Sequence, residues 1–261
     1  MPFVTIPIKE IINESKDLKT LVFEHKLDAK PGQFIMLWIP RVNEKPFSIS
    51  CHNESRFAIT VSKVGPFTEE LFKLKQGDFV GIKGPYGQGY NLKGKNIVLV
   101  GGGYGAASLA FLADSAKPQN INVNFIIGAK SKDYLLYEER MKQNGIKTSI
   151  CTDDGSHGKK AFTTELLLDS LEKDKPDAVY ACGPEVMLKK VVDICKEKNI
   201  YCEISLERMI KCGGGLCGNC CLDSTGWRVC QEGPVFNMEQ VKQISEFGVY
   251  KRDKTGKKVS L

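Results

Sequence analysis

The sequence contains no long hydrophobic run and no targeting segment at its start. No stretch of the 261 residues approaches the roughly 20 consecutive apolar residues that a membrane-spanning helix needs. The first ten residues, Met-Pro-Phe-Val-Thr-Ile-Pro-Ile-Lys-Glu, lack the basic start and apolar core of a signal peptide. The hydrophobic content of 42% is that of an ordinary globular protein. These features predict a cytoplasmic protein with no membrane partner.

Strong charge of either sign is also missing. The 37 basic and 31 acidic side chains give a formal net charge of +6 that is spread along the chain, so we expect no nucleic-acid partner. The one local excess of cations is in the C-terminal tail, at Lys251, Arg252, Lys254, Lys257 and Lys258. We expect a solvated, poorly ordered chain end there, and docking of a partner is the alternative.

Histidine is scarce, and no candidate acid–base catalyst is apparent. The chain has three histidines, His25, His52 and His157, and none belongs to a hydrolase-like motif. We expect each to be an ordinary surface or turn histidine and predict no catalytic side chain.

The pattern of apolar residues changes twice along the chain. From Val4 to about Leu92, short apolar alternations are interrupted by glycine–proline turns, which predicts a small antiparallel β-barrel. From Lys95, compact apolar runs alternate with helical stretches, which predicts a parallel α/β domain. A cysteine-rich segment starts at Ser205. The predicted domains are a barrel over residues 1–93, an α/β nucleotide-binding domain over 94–204 and a small C-terminal domain over 205–261.

Four of the ten cysteines have the spacing of an iron–sulfur loop. Cys212, Cys217 and Cys220 follow the order C-x4-C-x2-C, and Cys230 comes after nine more residues, which is typical of a plant-type 2Fe–2S loop. The glycines between them enter positive φ cheaply and can aim backbone N–H groups at the sulfurs. We predict a 2Fe–2S cluster bound by these four thiolates, with the adjacent Cys221 as a spectator.

Three other interpretations compete with a cluster. Structural zinc usually requires a second short Cys or His pair, and the segment has only one C-x2-C. Disulfides require an oxidising compartment, which the N-terminus does not indicate. Inert buried thiols explain the isolated cysteines, Cys51, Cys151, Cys195 and Cys202, but not four in one glycine-rich loop.

Two turns of the α/β region are candidates for binding a nucleotide. Gly102, Gly103 and Gly105 follow a buried strand and precede a helix, where N–H groups and the helix dipole can hold an anion. Cys182 and Gly183 stand in the same position after a later strand. The ends of parallel strands share one crevice, which is where nucleotides bind in such sheets. A tight turn without a ligand is the alternative for the glycines.

Two barrel segments are weaker candidates. Lys45, Pro46, Phe47 and Ser48 combine a cation, a rigid apolar surface and a hydroxyl, which suits a planar ring that carries a phosphate. Gly65 to Thr68 precede a predicted helix over Glu69 to Leu74, so N–H groups and the Thr68 hydroxyl could hold a diphosphate. An edge strand and a plain helix cap are the respective alternatives.

The order of these motifs resembles the ferredoxin-reductase-like flavoproteins. Pro-Phe-Ser-Ile, Gly-Pro-Tyr-Gly, Gly-Gly-Gly-x-Gly, Cys-Gly-Pro-Glu-x-Met and the cysteine loop follow one another over nearly the whole chain. Within that group the chain is most similar to the electron-transfer subunits of NAD-dependent dihydroorotate dehydrogenase. The segment from Ser205 through Phe236, which holds the cysteines, is the most specific part of the resemblance.

The resemblance implies FAD in the barrel, NAD(H) in the α/β domain and the cluster in the C-terminal domain. Pro46, Phe47 and Ser48 would line the isoalloxazine, Gly65 and Thr68 the FAD diphosphate, and the glycines at 102, 103 and 105 the dinucleotide. Cys182 and Gly183 would lie near the nicotinamide. The family usually has arginine where Lys45 stands, and lysine offers a point charge instead of a bidentate fork.

The implied function is electron transfer between NAD(H) and a partner flavoprotein in pyrimidine biosynthesis. The partner would be an FMN-containing dihydroorotate dehydrogenase catalytic subunit in a hetero-oligomer, and Met209, Ile210 and Leu216 could contact it or pack beneath the loop. A small subunit of a ferredoxin:NADP oxidoreductase, sulfide dehydrogenase or hydrogenase is the first alternative, and a redox sensor the second. Lys130 or Lys132 could accept a 2′-phosphate, so NADH and NADPH both stay open.

Overall fold

The N-terminal region is a curved, antiparallel half-barrel in the computed structural model, which describes residues 3–261. Its seven strands run in the order β1-β7-β4-β5-β6-β3-β2, and a helix, α1 (Pro66–Lys73), lies between β6 and β7. The strands are β1 (Val4–Pro7), β2 (Glu10–Ser15), β3 (Leu18–Glu24), β4 (Phe34–Ile39), β5 (Asn43–His52), β6 (Arg56–Ser62) and β7 (Phe79–Tyr86). The predicted antiparallel architecture is confirmed.

Strand β4 is buried on both faces, and the two faces belong to different cores. Ile35 and Leu37 point into the barrel core. Phe34 and Met36 point the other way, into a core shared with the α/β and C-terminal regions. Since successive side chains of a strand alternate between its faces, β4 forms the wall between the barrel interior and the rest of the molecule.

The second region is an α/β sheet with helices on both faces. Its strand order is β11-β10-β9-β8-β12-β13-β14, parallel throughout except for β14, which pairs antiparallel with β13. The elements are β8 (Asn96–Gly102), α2 (Ala106–Ala116), β9 (Asn122–Ala129), α3 (Glu138–Gln143), β10 (Lys147–Thr152), β11 (Lys159–Lys160), α4 (Thr163–Lys173), β12 (Ala178–Cys182), α5 (Glu185–Glu197) and β13 (Tyr201–Ser205). Short 3-10 turns occupy 103–105, 117–119 and 132–134.

Buried contacts fix the half-barrel against the α/β sheet. Phe111 of α2 is part of the barrel core. The Tyr137 hydroxyl donates a hydrogen bond to Thr60 of β6, and Arg140 donates to the Ser50 carbonyl over 3.1 Å. Direct contacts therefore hold the two regions together and fix the walls of a cavity between them.

The C-terminal region contributes a long loop, one strand of the α/β sheet and a hairpin. Its elements are β14 (Val235–Asn237), α6 (Met238–Val241), β15 (Tyr250–Arg252) and β16 (Lys258–Ser260). β14 enters the α/β sheet beside β13, so this region does not stand apart. The two domain boundaries, at 93/94 and 204/205, stay predictions.

The expectation of a poorly ordered basic tail is wrong. β15 and β16 pair antiparallel, with Lys251 opposite Val259. The reason is an anchor that lies far away in the sequence: the Asp223 carboxylate accepts hydrogen bonds from Tyr250 and Arg252.

No helix within residues 3–261 is long and apolar enough to cross a membrane.

Candidate functional site

One large cavity lies where the three regions of the chain meet. Its volume is about 1470 Å³, well above the roughly 300 to 1,000 Å³ of a pocket for one small ligand. Its walls come from β5, the start of α1, the turns after β8 and β12, the start of the cysteine region and the C-terminal hairpin. The cavity has room for more than one extended ligand.

The predicted flavin strand forms one wall of this cavity. Lys45, Pro46, Phe47 and Ser48 all line it and are half-buried in β5. The Phe47 ring stacks on Phe67 of α1 with the ring centroids 6.1 Å apart, which holds an apolar surface beside the Lys45 side chain. Lys45 has no ion-pair partner among residues 3–261, so its ammonium is available to an anionic ligand.

The start of α1 also lines the cavity, but its Thr68 hydroxyl is already engaged. The hydroxyl accepts hydrogen bonds from the N–H groups of Val64 and Gly65, over 2.9 and 3.1 Å, and donates to the Gly65 carbonyl over 2.9 Å. This arrangement favours the helix-cap role of Thr68. The first helical bond is that of Glu69, so the backbone N–H groups of the first turn precede it and can hold an anion.

α1 starts at Pro66, three residues earlier than the predicted Glu69. Proline is favoured at the first helical position, because it has no N–H group to leave without a partner. A Cβ atom on Gly65 would meet nothing within 4 Å, so the backbone at this turn is open to the cavity.

The glycines of the turns after β8 and β12 serve two different purposes. A Cβ atom on Gly105 would lie 2.5 Å from the Cys182 carbonyl oxygen, and one on Gly183 would lie 3.0 Å from the Gly102 backbone. These glycines let the two turns pack against each other. Gly103 has a positive φ of 55° and no atom near the place of its Cβ, so its backbone faces open space in the cavity.

Polar groups that the sequence did not single out lie beside these turns. Ser108, in the first turn of α2, lines the cavity, and its hydroxyl is buried with no hydrogen-bond partner in the described part of the chain. The Tyr90 hydroxyl beside it is likewise without a partner, so the two hydroxyls are free to pair with each other or with a ligand in the cavity. The only sequence signal of Ser108 is its place three residues after Gly105. Burial raises the pKa of the neighbouring Cys182 thiol to about 12, so this thiol is neutral at neutral pH.

The structure brings the four predicted cluster ligands together as two pairs in one loop. Cys212 accepts a hydrogen bond from the Cys217 N–H over 3.4 Å, and the buried thiols of Cys220 and Cys230 contact each other. All ten cysteines are free. No group of three or more His, Cys, Asp or Glu side chains within residues 3–261 has the arrangement of a metal site.

The donor set nevertheless fits an iron–sulfur cluster. Burial raises the pKa of Cys212, but hydrogen bonds to its sulfur from Cys217 and from the Leu216 N–H outweigh this and lower the pKa to about 7. N–H groups aimed at a ligand sulfur are what a thiolate-bound cluster uses. Gly213 and Gly215 have positive φ, as the tight wrap of the loop requires.

Burial raises the pKa of Cys220 to about 12, and its contact with Cys230 adds to this. Cys221 lies half-exposed beside them and pairs with Arg228 through an isolated β-bridge, which agrees with the spectator role but does not test it.

The cysteine loop packs on the outer face of the strand next to the flavin wall. A Cβ atom on Gly213 would lie 2.8 Å from Met36 of β4 and 3.0 Å from the Tyr86 ring. In the β4–β5 pair, Met36 lies opposite Pro46 and Phe34 opposite Ser48. Adjacent strands are about 4.8 Å apart, so the loop packs on the strand directly beside the predicted flavin strand.

The residues beneath and at the tip of the loop have different environments. Ile210 is buried in the core shared with β4, so its role is packing. Leu216 is 91% exposed and lies next to Cys217, which is also exposed. The predicted cluster ligands therefore reach the protein surface at one end of the loop.

These features define a class of protein. A half-barrel with a predicted anion site, a parallel α/β sheet that shares its cavity, and a cysteine loop on the adjacent strand are the parts of a flavin-dependent reductase with an iron–sulfur domain. Family models agree: residues 5–90 match the oxidoreductase FAD-binding domain, and residues 207–242 match the iron–sulfur cluster binding domain of dihydroorotate dehydrogenase B.

Curated relatives identify the family within that class. The chain is 46% identical over 252 residues, 97% of this chain and 96% of the relative, to a probable dihydroorotate dehydrogenase B (NAD(+)) electron transfer subunit of Methanocaldococcus jannaschii. It is 44% identical, with the same shares covered, to the protein of the same name from Methanothermobacter thermautotrophicus. The chain belongs to the family of dihydroorotate dehydrogenase B electron transfer subunits.

A solved structure shows the same architecture. The NADH-dependent reduced ferredoxin–NADP oxidoreductase matches with a TM-score of 0.81 and 27% identity over 93% of each chain. The predicted fold class, family, oxidoreductase activity and cofactors, FAD and an iron–sulfur cluster, are thereby confirmed. The residue assignments within the sites stay predictions.

Proposed function

We propose that this chain carries electrons between a dihydroorotate-oxidising catalytic subunit, which we infer to hold FMN, and NAD+ in pyrimidine biosynthesis. Dihydroorotate would lose two electrons and two protons on the partner, and NAD+ would take up a hydride here, with one proton released. The relatives' names specify both an electron transfer subunit and NAD(+). FAD and a 2Fe–2S cluster, when bound, supply the exchange between two-electron and one-electron steps.

The observation that carries this proposal is that the two sites lie on adjacent strands. β5 presents Lys45 to Ser48 to the cavity, and the cysteine loop packs on β4, the next strand. One strand spacing amounts to about 4.8 Å. A reductase in which electrons leave through a cluster requires this proximity, because the nucleotide cavity itself is inside the molecule.

Each cavity residue has a proposed task. Phe47, stacked on Phe67, and Pro46 would support the isoalloxazine face, with the Ser48 hydroxyl at its edge. Lys45 and the first turn of α1 at Gly65 would hold the FAD phosphates, and Thr68 would fix that turn. The open backbone at Gly103 would approach the dinucleotide, with Gly102, Gly105 and Gly183 shaping the turn and the neutral Cys182 near the nicotinamide.

The same proposal covers the remaining sites and the domains. The cluster would be bound by Cys212, Cys217, Cys220 and Cys230. FAD would belong to a barrel domain over 1–93, NAD(H) to a domain over 94–204 and the cluster to a domain over 205–261.

Anaerobic purification and two assays test the function. We expect FAD after acid release, two iron and two sulfide per chain, and reduction of an artificial acceptor by NADH. Dihydroorotate oxidation should require the catalytic subunit, because the relatives are named electron transfer subunits. Zinc without sulfide, FMN as the only flavin, or dihydroorotate oxidation by this chain alone would contradict the proposal.

One observation favours a second candidate. The ferredoxin–NADP oxidoreductase structure shares the fold over 93% of this chain, so a ferredoxin-linked subunit would have the same cavity and cysteine loop. The partner that co-purifies with the chain separates the two, because a dihydroorotate-oxidising flavoprotein supports the first candidate and a ferredoxin-binding subunit supports the second.

A further inference from the structure

The C-terminal hairpin forms part of the cavity wall. It lies beyond the residues matched by the iron–sulfur family model, which end at 242. Lys251, Arg252, Asp253 and Lys254 nevertheless line the cavity, together with the nucleotide turns after β8 and β12. A segment that sequence patterns and family matches leave without a role therefore borders the proposed dinucleotide site.

Two anchors hold the hairpin in place. At its base, the Asp223 carboxylate accepts hydrogen bonds from Tyr250 over 2.7 Å and from Arg252 over 2.9 and 3.0 Å, and Lys258 lies 3.3 Å away. One guanidinium nitrogen of Arg252 donates to both carboxylate oxygens, and a carboxylate with several donors is a stronger arrangement than an isolated surface ion pair.

The second anchor is a buried ion network before the hairpin. Arg208 bonds Glu185 over 2.6 Å and Glu246 over 2.8 Å, and the side chains are only 4%, 8% and 2% exposed. The Gly248 N–H donates to Glu185 over 3.0 Å. Since Glu185 begins α5 directly after the Cys182–Pro184 turn, the hairpin is tied to the nucleotide turn itself.

Two cations of the hairpin remain available to a ligand. Tyr250 and Arg252 share the face of β15 that meets Asp223, so Lys251 points to the other face. Asp253 accepts hydrogen bonds from the turn, including the N–H and hydroxyl of Thr255. Within residues 3–261 neither Lys251 nor Lys254 forms an ion pair.

Helix α5 contacts both the glycine turn after β8 and the residues before the hairpin. A Cβ atom on Gly102 would lie 2.7 Å from the Met187 sulfur, and one on Gly248 would lie 2.9 Å from the Lys189 side chain. Met187 and Lys189 both belong to the first turns of α5. The hairpin and the glycine turn therefore pack against the same helix, and both border the same cavity.

We propose that this hairpin is part of the dinucleotide site and that Lys251 and Lys254 bind the diphosphate of the nicotinamide dinucleotide. The inference rests on the proposed NAD(H) function and extends it to residues outside the matched domains. The diphosphate would lie between the N-terminus of α2 on one side and two ammonium groups on the other.

The sheet order separates this site from one for a ribose 2′-phosphate. β8 lies between β12 and β9, so the hairpin beside α5 approaches the glycine turn from the β12 side. Lys130 and Asp153, at the ends of β9 and β10, line the cavity on the opposite side. The hairpin lysines therefore contact a group that NADH and NADPH share.

Calorimetric titration of the FAD- and cluster-loaded protein with ADP-ribose tests this site without turnover. We expect Lys251→Ala combined with Lys254→Ala to raise the Kd for ADP-ribose about tenfold, since two charge-assisted bonds to phosphate are lost. The Kd for 2′-phospho-ADP-ribose should rise by the same factor. Lys257→Ala is the matched control, because it removes the same charge from the same hairpin at a position that does not line the cavity, and it should leave both Kd values unchanged.

Each other outcome overturns a specific statement. Equal binding by wild type and the double variant would remove the hairpin from the site and leave the proposed function intact. Weakening of the 2′-phosphorylated ligand alone would contradict the diphosphate assignment. A wild-type protein that binds neither ligand would overturn the NAD(H) function and this inference with it.

Discussion

The cysteine loop and the nucleotide cavity are built in opposite ways. The four predicted cluster ligands lie between Cys212 and Cys230 in one continuous segment, whereas the cavity takes its walls from residues as far apart as Asp17 and Lys254. The loop is held by backbone hydrogen bonds and positive-φ glycines, and part of it is exposed. The cavity is held by packing between domains and by a buried ion network. Local spacing therefore predicts the cysteine loop, whereas the cavity forms only when distant segments come together on folding.

The largest effect is expected from a substitution that removes a proposed cluster ligand and leaves the cavity unchanged. Cys220→Ser should abolish acid-labile sulfide and cluster absorption, because a buried thiolate ligand is lost. Bound FAD should remain stoichiometric, since its proposed wall is on β5. Iron, sulfide and flavin analysis of anaerobically purified protein measures both.

Cys221→Ser is the matched control, one position away, and should keep the full iron and sulfide content. Loss of the cluster in this control with retention in Cys220→Ser would exchange the two assignments.

The next effect is in the cavity and concerns one cation. Lys45→Ala should weaken FAD binding by about 1.5 to 3 kcal/mol, which is the contribution of a charge-assisted hydrogen bond. Lys45→Arg should bind FAD at least as tightly as wild type, because arginine offers a bidentate fork to a phosphate. Fluorescence titration of flavin-depleted protein gives the dissociation constants. Equal affinities in all three proteins would place Lys45 away from the flavin.

The glycines that line the cavity are of two kinds, tightly packed and open. Gly105→Ala should lower the free energy of unfolding by about 1 to 3 kcal/mol, because its Cβ would press on the Cys182 carbonyl. Gly65→Ala should change it by less than about 0.5 kcal/mol, since its φ of 171° is extended and the space is open. Denaturant unfolding of flavin-free protein compares the two.

The flavin-bound proteins should show the reverse order. Gly65→Ala should weaken FAD binding more than Gly105→Ala, because only the Gly65 backbone faces the space for a phosphate. A stability loss in Gly65→Ala as large as that in Gly105→Ala would contradict this division.

Much of the fold could be predicted because its signals are local. The strand β8 is a compact apolar run and the helix α2 an alanine-rich stretch, and each of these patterns requires only neighbouring residues. α1 was placed too late because proline at its first position marks a helix start that the apolar pattern does not show.

The rest depends on residues distant in sequence. Asp253 and Gly256 form a local turn, but the position of the hairpin depends on its anchor, Asp223 in the cysteine region. The role of Thr68 also differs from the one predicted, because its hydroxyl accepts hydrogen bonds from the backbone of the preceding turn instead of facing a diphosphate. Charge and composition describe such segments, but only tertiary contacts decide their structure.

The smallest effect concerns the surface by which electrons leave the loop. Leu216 is 91% exposed beside the cluster ligand Cys217, and an exposed apolar residue at an electron exit suits a partner contact. Leu216→Asp should lower the rate of electron transfer with the catalytic subunit about tenfold, which corresponds to about 1.4 kcal/mol. NADH reduction of a small artificial acceptor should be unchanged, because the cavity lies behind β4.

Val42→Asp is the control, since Val42 is also an exposed apolar residue, 43% exposed. Val42 lies on the turn after β4 ends at Ile39, whereas the loop contacts β4 at Met36. It should leave transfer to the partner unaffected. If Leu216→Asp instead loses iron and sulfide, Leu216 supports the loop and not the docking surface. A charge placed at the centre of an apolar contact must be desolvated when the partner binds, which weakens binding. If transfer to the partner is unchanged with the cluster intact, the exit surface therefore lies elsewhere on the molecule.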